Sequence, residues 1–233
     1  YVMSRYHNVE ATLPYFIPQP FLIGSFGAVI RMRGRIPDRR ALFDIGVAGP
    51  LAGLAATAVV TVIGLQLDPL PVQEAAAQQV ADSGGVVFHN PPLMTILAHL
   101  TGGTEHLQGV AHPVVFAGWV GMLMTVLNLL PAGQFDGGHI VRAMLGKRQE
   151  TVAAAVPGAL FALTGYLVFI RPGYGSIGIW LLWGIFTLGM AYAGPATPID
   201  DSPLDRKRQA IGIFTLVLGA LCFTPVPIGI IPG

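Results

Sequence analysis

Asp136 is the only Asp, Glu, Lys or Arg between Glu105 and Arg142, in a stretch otherwise apolar enough to lie at membrane depth. An ionisable group there is costly unless it is paired or binds something, so it is a functional candidate by default. Its setting reads NLLPAGQFDGGHI from Asn128. Pro131 ends the helix that carries Asn128, and Gly133, Gly137 and Gly138 permit tight, non-helical backbone. Such backbone is tolerated at membrane depth only where protein or a watery cavity surrounds it. Two chemistries suit the pattern: Asp136 as a metal ligand, or Asp136 as the N-cap of a helix starting near Gly137. A lone carboxylate cannot hold a transition metal, so the first needs further ligands, usually His, and an open position for water. Asn128 presents an amide that could hold a peptide backbone or stabilise an oxyanion, or could close a helix end. His139 follows the glycines and reads as a structural hydrogen-bonding residue or as a contact of the ligand shell. His7 and the histidines at 89, 99, 106 and 112 read as solvated or interfacial.

The elements that must position these groups are set by composition. Of 233 residues 53% are hydrophobic and only 11% charged, against roughly 25% charged in an average soluble domain. The apolar residues come in blocks at 45–65, 107–130, 151–170, 176–194 and 209–230, and a span needs about 20 such residues to cross the hydrocarbon. The fold class expected is an all-α polytopic membrane protein with five spans. Its organisation is an N-terminal membrane-associated segment with a basic loop (1–40), a core (41–146) and C-terminal helices (147–233). Arg31, Arg33, Arg35, Arg39 and Arg40, then Arg142, Lys147 and Arg148, then Arg206, Lys207 and Arg208 fall in alternate loops, which places those loops on the cytoplasmic side of a cell membrane. The loop 66–106 carries acids but no Lys or Arg, and faces outward. Its apolar stretch 91–100 reads as a surface-packed helix, or as a segment that lies at the interface or dips partway into the membrane.

Residues 21–32, FLIGSFGAVIRM, are too short to span, and Gly24 and Gly27 favour extended backbone. An apolar strand beside a membrane must pair its peptide groups, so this segment reads as an edge that receives an extended peptide, or as a hairpin packed on the bundle. Gly46, Gly49 and Gly53 give the first span a small face that a neighbouring helix can approach closely, and Pro50 predicts a kink. Cys222 is a small packing residue in the last block, so there is no disulfide framework. The net charge of +1 says nothing about nucleic acid, but no basic run with interleaved aromatics appears, and no nucleic-acid partner is expected.

Asn128-Leu-Leu-Pro131, four residues, then Asp136-Gly137-Gly138 resembles the second signature of the site-2 protease family of intramembrane zinc metalloproteases, peptidase family M50. LPYFIP from Leu13, GSFGAVIRMR from Gly24 and ALFDIGVAGPLAG from Ala41 are similar to its archaeal and plastid forms. The resemblance implies that Asp136 is the third zinc ligand, that Asn128 positions substrate or an oxyanion, and that Gly24, Phe26 and Gly27 clamp an unwound transmembrane substrate. It also implies two histidines and a general-base glutamate from an H-E-x-x-H helix, which this sequence does not contain. The family continues from that helix into a segment like YVMSRYHNVEATLPYF, so the sequence, opening Tyr1-Val2-Met3, is expected to start just after it. As given, the chain is expected to be inactive and to hold zinc weakly or not at all. Two other readings stand beside the enzyme: a non-catalytic homologue that binds or sequesters membrane proteins, and a small secondary transporter, for which the pseudo-repeat is lacking.

Overall fold

A computed structural model describes residues 1–18, 25–30, 32, 34–71, 75, 78, 85–107, 112–170, 177–194 and 196–231. Gly24, with residues 21–23 and 31 of the 21–32 segment, lies outside them. In chain order the elements are α1 (Val2–Tyr6), β1 (Tyr15–Pro18), β2 (Ser25–Val29), β3 (Ile36–Asp38), α2 (Arg39–Gly64), β4 (Gly85–Phe88), α3 (Pro92–Thr101), a 3-10 turn (Thr104–Leu107) and α4 (Pro113–Asn128). There follow α5 (Asp136–Leu145), a second 3-10 turn (Gly146–Arg148), α6 (Gln149–Phe169), α7 (Ile177–Ala193), β5 (Pro198–Asp200), α8 (Arg206–Leu221) and β6 (Ile228–Ile231).

The architecture is mostly helical, as the composition requires, but five spans are not what the helix lengths show. Among the described residues two helical stretches are long and apolar enough to cross a membrane, Arg39–Gly64 with 26 residues and Asp136–Phe169 with 34. The block expected at 107–130 yields α4 with 16 residues, about 24 Å at 1.5 Å per residue, because Pro113 opens the helix and Pro131 stops it. The block at 176–194 yields α7 with 17 residues. The last block divides: α8 ends at Leu221, and Ile228–Ile231 forms a strand, antiparallel to β4 with Val87 opposite Gly229 and Phe88 opposite Ile228. Pro225 and Pro227 stop the helix, and the β-branched run after them suits a strand.

The chain divides into two compact units, residues 1–52, 127–156 and 187–217, and residues 53–126, 157–186 and 218–233. In the first, Val9, Ile36, Leu42, Phe43, Ile140 and Leu204 form a buried core. Asp38 accepts a hydrogen bond from the Ala41 N–H at 2.8 Å and so caps α2. β3 lies parallel to β5, Ile36 beside Pro198 and Asp38 beside Asp200. Asp201 accepts from Arg39 Nε at 2.7 Å and from Arg142 Nη1 at 3.0 Å, tying together the start of α2, the end of β5 and the last turn of α5. Asp44 is held by Arg208 at 2.9 Å and by His7 at 3.0 Å. The expected edge segment is extended where it is described: β2 pairs antiparallel with β1, Tyr15 opposite Val29 and Phe16 opposite Ala28, with an irregularity before Pro18.

In the second unit, α4 lies against the later half of α2. A Cβ on Gly118 or Gly121 would overlap Thr61 Oγ1 or Thr57 Oγ1, so glycine is needed at both crossing points. Trp119 Nε1 donates to the His89 carbonyl at 2.9 Å, and Trp180 Nε1 to that of Pro225 at 2.7 Å. In α3, Leu93, Met94 and Ala98 are buried, so this stretch is a packed surface helix, as expected.

Candidate functional site

The site lies in the first unit, where α4 hands over to α5. α4 ends at Asn128, and residues 129–135 run without regular structure, turning at Gly133 with φ +50°. The connector then folds back against the first turn of α5. A Cβ on Gly137 would overlap the Leu129 carbonyl and lie 2.7 Å from the Leu130 oxygen; one on Gly138 would overlap the Gly133 oxygen and lie 2.9 Å from that of Ala132. The two glycines let backbone meet backbone here, and Asp136 is fixed at the turn they form.

Asp136 is not an N-cap. Phe135 occupies that position with extended backbone (φ −66°, ψ 157°), and no side chain caps the helix. Asp136 is the first helical residue, where its negative charge suits the positive end of the helix dipole. Its side chain is half-buried and makes no hydrogen bond or ion pair among the described residues. It faces α2 instead: a Cβ on Gly49 would come 3.3 Å from Asp136 Oδ2, and one on Gly46 would come 2.9 Å from His139 Cβ and 3.3 Å from the Asp136 backbone oxygen. The small face read from Gly46, Gly49 and Gly53 is thus used at the first two positions; at Gly53 nothing lies within 4 Å. Sequence reasoning treated Gly49 as a packing residue. Its juxtaposition with the carboxylate was signalled only by the small residue itself.

Asn128 is exposed, and its amide makes no hydrogen bond among the described residues, so it does not close the helix end. His139 is buried one turn beyond Asp136, and only its backbone is hydrogen-bonded, its N–H donating to the Phe135 carbonyl at 3.0 Å. Phe26 and Gly27 lie on β2, in a two-stranded sheet whose second edges pair with nothing among the described residues. The sequence missed one further feature, the convergence of Arg39 and Arg142 on Asp201; residues so far apart in the chain give no local signal.

A catalytic zinc ion takes three protein ligands and leaves one position open. Among the described residues no group of three His, Cys, Asp or Glu stands close enough to hold a metal. The donors present therefore do not by themselves fit zinc: Asp136 supplies one oxygen, and no chemical step through the metal follows from these residues alone.

The family model for peptidase family M50 matches residues 7–170. Over 94% of its length the chain is 33% identical to a rice protein named probable zinc metalloprotease EGY1, chloroplastic, of which it covers 36%. It is 31% identical to the Arabidopsis thaliana protein of that name, covering 38% of it, and 30% identical to the Arabidopsis probable zinc metalloprotease EGY2, chloroplastic, covering 37%. The chain thus spans little more than a third of the length of these curated relatives. No solved structure matches it.

Proposed function

We propose that this chain, which belongs to peptidase family M50, forms part of a site-2-type intramembrane zinc endopeptidase that cleaves transmembrane protein substrates. The observation that carries this reading is the Asp136 carboxylate. It stands at the end of a glycine-built connector, spaced from Asn128 and Pro131 as the family signature has it, and its side chain makes no hydrogen bond or ion pair among the described residues. In this reading Asp136 is one zinc ligand, and the other two protein ligands and the general base come from outside these 233 residues. When bound, zinc lowers the pKa of its water and polarises the scissile carbonyl. This chain's own contribution is to hold the Asp136 oxygens still, to present the Asn128 amide to the peptide, and to offer the free edge of the β1–β2 pair to an unwound substrate strand around Gly24, Phe26 and Gly27. The setting is a membrane, with the basic loops on the cytoplasmic or equivalent side; the chloroplast names of the relatives set aside a commitment to the cell membrane.

The test is Asp136→Asn in the full-length protein as encoded, reading zinc content by elemental analysis and cleavage of a transmembrane reporter. Loss of both, with expression unchanged, is expected; retention of zinc and cleavage refutes the proposal. A second reading, a non-catalytic homologue that binds membrane proteins, is favoured by the incomplete metal donor set. It predicts that the full-length protein purifies without zinc and that Asp136→Asn leaves substrate binding unchanged.

A further inference from the structure

The exposed ends of the first unit carry an excess of free positive charge that composition conceals. The whole chain has 13 Lys and Arg against 12 Asp and Glu, a net charge of +1. In this unit, however, five of the eight acids are engaged internally, and only the Glu10, Asp136 and Glu150 side chains make no hydrogen bond or ion pair among the described residues. Asp38 caps α2. Asp44 is held by Arg208 and His7. Asp201 is shared by Arg39 and Arg142, whose hydrogen bonds pull its carboxyl down to about 2. Asp205 accepts from the backbone and guanidinium of Arg208, and Asp200 from Ser202, which lowers both carboxyls. Arg35, Arg40, Lys147, Arg148, Arg206 and Lys207 are all exposed and make no ion pair among the described residues.

These six come from sequence-distant elements that the unit brings to one place. The two bonds to Asp201 join the start of α2 to the end of α5 and to the residue just after β5. A Cβ on Gly146 would lie 3.1 Å from Arg39 Cζ, so the 3-10 turn carrying Lys147 and Arg148 abuts the start of α2. β3, preceded by Arg35, runs beside β5, which leads into α8 and its Arg206 and Lys207. Immediately beyond those two cations α8 exposes Ile211, Ile213, Phe214 and Val217, at 43%, 57%, 56% and 51% of full accessibility. α2, which begins with Arg39 and Arg40, is long and apolar enough to span. Free cations thus sit at the rim of surfaces suited to acyl chains.

We infer that this cluster is a binding site for anionic phospholipid headgroups, engaging a lipid whose chains lie along the apolar face of α8. The apolar surface that continues from the cations selects a lipid over a soluble phosphate, and lysines and arginines near an anionic surface each contribute about 1 kcal/mol. The inference requires the chain to be membrane-embedded and is independent of zinc.

The experiment reconstitutes the full-length protein in phosphatidylcholine bilayers and compares the association of spin-labelled phosphatidylglycerol with that of spin-labelled phosphatidylcholine. At low salt, phosphatidylglycerol is expected to be preferred at least about fivefold, the equivalent of one such contact, and about 0.5 M NaCl should erase the preference by screening. The variant K147Q/R148Q/R206Q/K207Q should show a ratio near one while keeping the wild-type unfolding midpoint. A ratio near one in the wild type overturns the inference, as does an unchanged ratio in the folded variant. Inorganic phosphate or glycerol phosphate at millimolar concentration should leave the preference intact; if either abolishes it at constant ionic strength, the site is one for soluble phosphate. The salt arm needs no variant, so a variant that fails to fold leaves the inference open to refutation.

Discussion

Replacing Gly137 by alanine should be among the most damaging single-methyl changes available to this chain. The added Cβ would overlap the Leu129 carbonyl and sit 2.7 Å from the Leu130 oxygen, where an unstrained carbon–oxygen approach is about 3.3 Å or more. All the opposing atoms are backbone, and they belong to the connector that places Asp136, so relief requires moving either the connector or the start of α5. Overpacking of this kind costs about 1–3 kcal/mol, occasionally more. Alanine's helix propensity, worth up to about 1 kcal/mol over glycine, offsets part of that. A net loss of about 2 kcal/mol lowers the unfolding midpoint by about 4–8 °C in a chain of this size. Gly53→Ala is the internal control: it makes the same exchange on a helix with nothing within 4 Å, so it should raise the midpoint by about 1–4 °C. Scanning fluorimetry in a mild detergent, with both variants beside the wild type, reads the difference. Equal shifts in the two variants, or a stabilised Gly137→Ala, would refute the close backbone approach and with it the geometry assigned to Asp136.

Asp201→Asn should cost about 1 kcal/mol at neutral pH, a figure discounted because the aspartate is part-exposed. Its carboxyl is held at about 2, chiefly by the hydrogen bond from Arg39 and then by Arg142; a depressed value means stability present above about pH 4 and lost as pH falls through about 2. The wild type should therefore lose stability across that window more steeply than the variant, and parallel acid-unfolding curves would count against the pairing. In the second unit, Gly118→Ala places a methyl onto Thr61 Oγ1 and should cost about 1–3 kcal/mol; adding Thr61→Ala should recover part of the loss in thermal unfolding, and simple additivity of the two losses would argue against the contact.

What the sequence made legible followed from local rules. Apolar blocks located the helices, and Pro131 with the glycines after it located the break that carries Asp136. Composition alone misjudged where helices stop. Residues 209–230 are apolar enough for a span, yet Pro225 and Pro227 end the helix and leave Ile228–Ile231 to pair with Gly85–Phe88, a partner some 140 residues away that no window reveals. The regular spacing of Gly46, Gly49 and Gly53 suggested one continuous packing face, but only Gly46 and Gly49 come against Asp136, His139 and Ile140 of α5, and nothing lies within 4 Å of a Cβ at Gly53. The basic loops were visible as clusters; which of their arginines are neutralised was not, since Asp201 finds Arg39 and Arg142 through the tertiary fold.

That same pairing bears on how Asp136 is read. A carboxylate in an apolar stretch ordinarily serves as a helix cap or as half of an ion pair. The cap position belongs to Phe135. The cation nearest in sequence that could serve as a partner, Arg142, lies two turns along the same helix and is engaged by Asp201 at 3.0 Å, while the buried His139 makes no side-chain bond among the described residues. Asp201 thus fastens the ends of α2 and α5 and engages Arg142, while the Asp136 side chain makes no hydrogen bond or ion pair among the described residues. A half-buried carboxylate without a hydrogen bond or ion pair is costly to retain, and the neighbouring Gly49 leaves its Oδ2 uncovered by any side chain at that position. A carboxylate that only shapes a turn gains from neither feature, whereas the proposed role of Asp136 as a zinc ligand calls for both.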